Sequence, residues 1–339
     1  MYTDEDLNFA IKKGIFTPSA VSDFRTLLSE SKNTPAVDEE KFKLIGGFND
    51  IFILNASALL LFSTAYLLKN IDVRLALVVT TLLTWGLSEI FVRRRKMALP
   101  SIGLLLLFIG GVFASTLFIS KDFLEPKYSV ILASSASIIA TYLHWLRFKV
   151  PITIAVGSTT VITLLLALFI TLFPSFKDWF MGTLLASGIM IFLFAMYWDS
   201  ADTQRITKNA DIAFWLHLLA APLIIHPIFS YLGVFEGDNS IMSMLLIILL
   251  YITLTTISLA IDRRALMISS LIYVLYSLSS LLKNYGGVSE NFAFASAFMG
   301  LSLLILAVYW HHVRGFLVKK LPKKIQQYLP KAYENRAHH

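Results

Sequence analysis

Cysteine is absent from all 339 residues. Its absence removes disulfides, thiolate nucleophiles and cysteine-ligated metal or iron–sulfur centres from consideration. Charge is scarce: 15% of the chain is Asp, Glu, Lys or Arg, against about 25% in an ordinary soluble domain. No phosphate loop, dinucleotide fingerprint or paired-histidine metalloprotease motif occurs. No cofactor or metal is therefore expected. The first 45 residues lack the short apolar core of a signal peptide, so none is expected.

What fills the chain instead is hydrocarbon. Apolar residues make up 56% of it, and the mean hydropathy is +0.69. One water-facing globule cannot bury that much apolar surface. About 20 apolar residues at 1.5 Å each cross a bilayer core of about 30 Å. Ten such runs are read, near 50–68, 74–92, 101–120, 129–146, 151–173, 180–198, 212–235, 241–260, 265–282 and 292–312. They are continuous rather than alternating, which selects helices over a barrel. The expected fold is an all-α membrane protein of about ten spans. A cytoplasmic helical hairpin and linker (1–44) precede the membrane domain (45–313), and a basic tail (314–339) follows it.

Orientation follows from the basic side chains. Of 29 Lys and Arg, 23 fall on the side of the N-terminus. Six lie in the N-terminal region, four at 93–96, two in each of the next three turns, and seven after the last span. Six fall in the outer loops. The bias predicts both termini in the cytoplasm. The net charge of +7 then reflects topology and contact with anionic lipid rather than nucleic acid, because it is spread over many turns.

The arginines also mark a repeat. Arg95, Arg147, Arg205, Arg263 and Arg314 are separated by 52, 58, 58 and 51 residues. Each interval holds one span out and one span back, so successive units point the same way. Tandem parallel two-helix units are expected, not inverted halves.

At the N-terminus, Thr3 can cap a helix with Asp6 at the third position and Leu7, Ala10 and Ile11 as its apolar stripe. Gly14 ends it, and Thr17–Pro18 opens a second helix with Val21, Phe24, Leu27 and Leu28 on one face. Residues 31–40 read as a linker. After the last span, Leu317, Leu321, Ile325 and Leu329 recur every four residues among Lys319, Lys320, Lys323 and Lys324. That pattern suits a segment on the inner leaflet, interrupted by Pro322 and Pro330, with anionic lipid as its partner. The Gly-Ile-Phe-Thr-Pro turn of the hairpin, followed by serial two-span units, resembles uncharacterised bacterial multi-span predicted membrane proteins. The resemblance covers the whole chain in architecture. It implies an inner-membrane location and no activity.

Ionisable groups inside spans are costly, and they mark function when they occur. Residues 213–229, AFWLHLLAAPLIIHPIF, hold His217, Pro222, His226 and Pro227. At 1.5 Å per residue, His217 lies roughly 9 Å inward of the span centre and His226 roughly 5 Å outward. Nine residues at 100° put the rings on opposite faces, which does not suit a shared metal. Each proline frees a carbonyl, that of Leu218 or Leu223, so the seventh span is expected to be kinked or unwound. Broken helices near the midplane are where transporters bind solutes or ions. Interior partners for the two histidines without any ligand are the structural alternative.

Supporting polar groups are Asn55, expected to be buried in the first span, Glu89, Asp199 and Asp211. Glu89 can pair with Arg93 at i,i+4. Asp199, Asp202, Arg205, Lys208 and Asp211 can form one network around their turn, with Asp211 at a helix start, and Asp262 and Arg263 repeat the theme at the next turn. His144, His311 and His312, beside Trp145 and Trp310, suit an interfacial aromatic belt. The leading expectation is a transporter of a small polar or amphipathic solute. The alternatives are an assembly protein docking a partner through its N-terminal hairpin, and an intramembrane enzyme on a lipid or acyl substrate using His217 or His226 as base.

Overall fold

The computed structural model describes residues 4–24, 48–173, 175, 179–203, 205, 207–233, 241–281 and 291–330. Among these residues helices are the only regular structure. Cα packing divides the chain into Met1–Lys41 and Phe42–His339.

In the first unit, α1 spans Asp4–Lys12. Gly14 takes φ +72°, which lets the Gly14 and Ile15 amides turn back onto the carbonyls of Ile11 and Ala10. The second helix, α2, is described over 18–24. Thr17 starts it, its Oγ1 accepting from the Ala20 amide at 3.1 Å. Leu7, Ala10 and Ile11 are partly covered or at the margin, Val21 is buried, and Phe24 is exposed. Thr3, Leu27, Leu28 and the linker lie outside the described residues.

The second unit follows the ten apolar runs. The helices are α3 (Phe48–Lys69), α4 (Val73–Ser88), α5 (Ala98–Ser120), α6 (Pro126–Phe148), α7 (Ile152–Leu172), α8 (Phe180–Ala201), α9 (Lys208–Tyr231), α10 (Ile241–Ile261), α11 (Ala265–Leu281), α12 (Asn291–Lys320) and the short α13 (Lys323–Gln326). A π-helical turn, Glu89–Arg94, extends α4. Eight helices are long and apolar enough to cross a membrane: α3, α4 with its π turn, α5 through α9, and α12. In α10 and α11 the apolar stretches Leu245–Ile261 and Ala265–Tyr276 are shorter.

Local chemistry explains where helices begin. The Asp72 carboxylate accepts from the amides of Arg74 at 2.6 Å and Leu75 at 3.1 Å, capping α4. Those two amide bonds hold the Asp72 carboxyl below the usual carboxylate range. Pro126 opens α6, where a missing N–H is harmless. Inside the spans, hydroxyls turn back on their own helix. Ser88 bonds Thr84 O at 2.9 Å, Ser137 bonds Ala133 O at 2.8 Å, and Thr141 bonds Ser137 O at 2.7 Å. Such groups reach hydrocarbon depth with their donors already used.

Packing runs along the chain. Each of the pairs α4–α5, α6–α7, α8–α9 and α10–α11 packs closely as a hairpin. The odd helices α3, α5, α7, α9 and α11 touch in order, and α12 packs on α11 and α10. Among the described residues, the turn closing each hairpin carries one non-glycine residue in the left-handed region: Lys96 (φ 51°), Lys149 (54°), Arg205 (54°) and Asp262 (58°). These positions are 53, 56 and 57 residues apart. A left-handed L-residue costs about 1–2 kcal/mol, so each turn is held by what surrounds it.

Three expectations change. Asn55 is exposed, and its Nδ2 donates to its own helix at Ile51 O, 2.9 Å. His144 and Trp310 are buried, at 0% and 1% exposure, rather than interfacial. His144 is ringed by Trp85, Phe108 and Phe148, with Thr153 Oγ1 3.4 Å from its Nδ1. In the tail α12 ends at Lys320, just before the Pro322 at which the sequence places an interruption. Pro322 cannot continue α12, and Leu329 turns back to pack with Ala221, Ile261, Leu266 and Val318.

Candidate functional site

Small residues create the site. Along α8 the buried positions Ser187, Gly188, Ile191, Ala195 and Asp199 recur at helical spacing. On α9 they are met by Ala213, Leu216, His217, Ala220 and Ala221. Ala195, Ala213 and Ala220 have no exposed surface, and small side chains let two backbones approach closely in a membrane. A Cβ on Gly188 would stand 2.8 Å from the backbone carbon of Leu223 and 2.9 Å from the Ile224 nitrogen. At the end of this seam, Asp199 reaches His217, with Oδ2 2.9 Å from Nε2.

The next basic turn supplies the counter-charge. Arg263 Nη2 donates to Asp199 Oδ1 at 2.6 Å and to Ala210 O at 3.0 Å, and its Nε lies 3.3 Å from Asp199 Oδ2. The turn is braced by Ser258, which donates to the Arg263 carbonyl and whose own carbonyl accepts from the Arg263 amide. Arg205 crosses the other way. Its Nη1 lies 3.1 Å from Asp262 Oδ2, and its Nη2 donates to Asp262 O at 3.0 Å. The left-handed residues of two successive turns thus form an ion pair. Trp310 Nε1 donates to Asp262 Oδ1 at 2.8 Å, with Arg314 Nε 3.4 Å from the same oxygen.

Asp199, His217, Arg263, Arg314, Arg205 and Asp262 are all buried. Burial first, then the Arg263 guanidinium, pushes Arg205 below the usual arginine range, against the opposing pull of Asp262 and Asp199. His217 Nδ1 is enclosed with no hydrogen-bond partner among the described residues. The Phe192 ring stands edge-on, 5.3 Å from the imidazole.

Of the residues singled out in the sequence, the structure joins His217 and Asp199. It keeps the others apart. His226 is half-buried on another face of α9, its Nδ1 3.0 Å from Tyr273 Oη. Pro222 is exposed and Pro227 buried. Helix α9 continues through both prolines, so the expected unwinding does not occur. Tight packing on α8 and α11 holds the helix where propensity alone would release it. Glu89 keeps its bond to Arg93 at 3.3 Å, but its closer partner is Arg147, at 2.6 and 3.1 Å. Asp211 sits in the first turn of α9.

The expected network within 199–211 is redistributed. Asp199 serves Arg263, Arg205 serves Asp262, and Asp202 accepts from the Thr207 amide and hydroxyl at 2.7 and 2.6 Å. In sequence, Asp262, Arg263, Trp310 and Arg314 read as interfacial, because charge beside a span end usually is. The available signal was the i,i+4 stripe Ile191, Ala195, Asp199, which turns the carboxylate inward.

A separate groove of about 440 Å³ is lined by Thr116, Ile119, Ser120, Phe123, Leu124 and Leu132. It lies at the other end of α5 and α6, away from these charges. Comparison with family models, with curated proteins and with solved structures returns no match.

Proposed function

We propose that this chain is a ten-span protein of a bacterial inner membrane, with both termini cytoplasmic. In this reading it carries a small polar or amphipathic solute and couples it to protons through His217. The span count adds α10 and α11 to the eight long apolar helices. Tandem parallel units are supported by the left-handed residue in each basic turn. They are supported again by the pairs Glu89–Arg147 and Asp199–Arg263, each joining a carboxylate near one turn to the arginine of a later turn. The excess of basic residues in these turns and the two terminal segments supports the orientation.

One observation carries the coupling: His217 and Arg263 share the Asp199 carboxylate in a solvent-closed site. With His217 neutral, Asp199 and Arg263 cancel. A proton on His217 adds a positive charge that this trio does not balance. An uncompensated buried charge costs several kcal/mol, so the protonated state favours an arrangement in which the trio meets water. Proton uptake and opening of the basic end are linked in that way, and a solute entering the opened space shifts the same equilibrium.

Reconstitution into liposomes with an entrapped pH indicator tests this. Gradients of amino acids, small carboxylates and small amines are applied in turn. At least one is expected to move protons. His217→Gln, which can still hydrogen-bond Asp199 but cannot titrate, is expected to abolish proton movement. A wild-type protein inert to every class overturns the reading. Reporter fusions at the two ends test orientation, and an exported reporter at either end overturns it.

A second reading, docking of an assembly partner by the N-terminal hairpin, draws on the exposure of Phe9, Ile15, Phe16 and Phe24. Those apolar side chains on a small helical unit are the kind of surface a partner covers. Co-purification that survives in the full chain and is lost on Phe9→Ser with Phe16→Ser would favour it.

A further inference from the structure

We infer that the segment after α12 is a latch over the ion-pair cluster, and that anionic phospholipid headgroups along Lys319, Lys320, Lys323 and Lys324 hold it shut. Its consequence for transport rests on reading the cluster as the coupling site. The latch itself stands on separate contacts.

Pro322 ends α12, and its carbonyl accepts from the Ile325 and Gln326 amides at 2.8 and 3.1 Å. Gln326 Nε2 donates to Leu321 O at 2.7 Å. This compact turn reverses the chain. Leu329, 5% exposed, then packs with Ala221 of α9, Ile261 and Leu266 on either side of the Asp262–Arg263 turn, and Val318. Arg314, which faces Asp262, donates to the Pro330 carbonyl at 2.6 Å. One arginine thus ties Pro330 to the cluster. Lifting Leu329 would uncover Ile261 and Leu266 together, and with them the approach to Asp262 and Arg263.

The rest of the segment presents the opposite character. Lys319, Lys320, Lys323 and Lys324 are exposed, and residues 315–330 contain no Asp or Glu. Ile325 and Tyr328 are exposed as well. The segment leaves the end of a span, so its cations sit at headgroup depth. An apolar side chain and a tyrosine among lysines suit the boundary between headgroup and acyl chain. Each lysine near an anionic leaflet strengthens attraction about fivefold. The lysines are exposed while Leu329 and Pro330 are buried, so lipid contact and closure are compatible and reinforce each other.

The cysteine-free chain makes the test direct. Single Cys substitutions are placed at Leu329, at the exposed Tyr328, and at Val318. The last is 7% exposed under the latch and leaves Leu329 in place if Leu329→Cys itself loosens the packing. Full-length protein is put into nanodiscs of phosphatidylcholine, of phosphatidylcholine mixed with phosphatidylglycerol, or of phosphatidylcholine with inorganic phosphate in the buffer. Reaction with an impermeant maleimide is followed.

With phosphatidylglycerol, the Leu329 and Val318 positions are expected to react about tenfold more slowly than the Tyr328 position, as local burial requires. In phosphatidylcholine alone the protection should shrink several-fold, and inorganic phosphate should not restore it. Changing the four lysines to Gln should remove the lipid dependence. Equal rates at Val318 and Tyr328 in every lipid would overturn the latch. Protection indifferent to phosphatidylglycerol, or restored by phosphate alone, would overturn the role of lipid. Thiol labelling needs no transported solute, so a failure of the transport reading leaves this result interpretable.

Discussion

Removing one partner of the Asp199–Arg263 pair should be far more damaging than removing both. Asp199 accepts from Arg263 at 2.6 and 3.3 Å, and both side chains are at most 3% exposed. Each charge-assisted bond contributes about 1.5–3 kcal/mol, and a stranded buried ion costs more than the bonds alone. Asp199→Asn leaves the guanidinium facing an amide. Arg263→Met leaves the carboxylate with His217 alone. Each single change is expected to destabilise by about 3–5 kcal/mol. In the double variant neither charge remains, the substituted amide can still accept from His217, and the methionine fills much of the arginine's volume. The double variant is expected to lie within about 2 kcal/mol of the parent, giving a coupling energy of about 3 kcal/mol or more. Reversible unfolding in mixed micelles, titrated with a denaturing detergent and followed by tryptophan fluorescence, measures all four proteins. Additive single effects would show that the two charges do not depend on each other and would refute the reasoning.

Further outcomes follow from the same contacts. Gly188→Ala places a methyl within 3 Å of the α9 backbone and should cost about 1–3 kcal/mol, whereas Gly110→Ala meets nothing within 4 Å and should be neutral or stabilising by up to about 1 kcal/mol; the same unfolding titration separates them. Arg147→Gln breaks a pair whose side chains are 42% and 27% exposed, so its unfolding midpoint should stay at the parent value, in contrast to Arg263→Met. His226→Leu loses the bond to Tyr273 and should lower stability by about 1 kcal/mol or more without changing proton movement in liposomes; loss of proton movement there would return the coupling site to the middle of α9.

The spans were legible because hydrocarbon imposes a length. Helices stand where each of the ten runs was drawn, and eight of them are long and apolar enough to cross a membrane. The turns were legible only as positive charge. Sequence spacing could pair Glu89 with Arg93, because i,i+4 neighbours meet on any helix. It could not pair Arg147 with Glu89, or Arg263 with Asp199, because those contacts depend on how hairpins stack. The prolines do not unwind α9 for a related reason. Pro222 and Pro227 weaken a helix in isolation, but the α9 backbone is fixed from outside, by Gly188 on one side and by the Ile225–Phe229 cluster with α10 and α11 on another. Propensity yields where packing over-determines the backbone.

The two ion pairs share a design and differ in what surrounds them. Glu89 precedes the left-handed Lys96 by seven residues, with a π turn between, and Asp199 precedes the left-handed Arg205 by six. A π turn takes up one extra residue, so the carboxylates occupy corresponding places. Around Glu89 the chain leaves Arg93, Arg94, Arg95 and Lys96 exposed. Around Asp199 it adds Ala195, Ala213 and Ala220, and a histidine. An exposed carboxylate–arginine pair is a surface brace, screened by water and salt. The same pair moved into a dry seam is screened far less, because no solvent remains to absorb a change in charge. Burial and one imidazole therefore separate the two pairs in this chain. That makes α8–α9 the hairpin where the proposed coupling is to be tested.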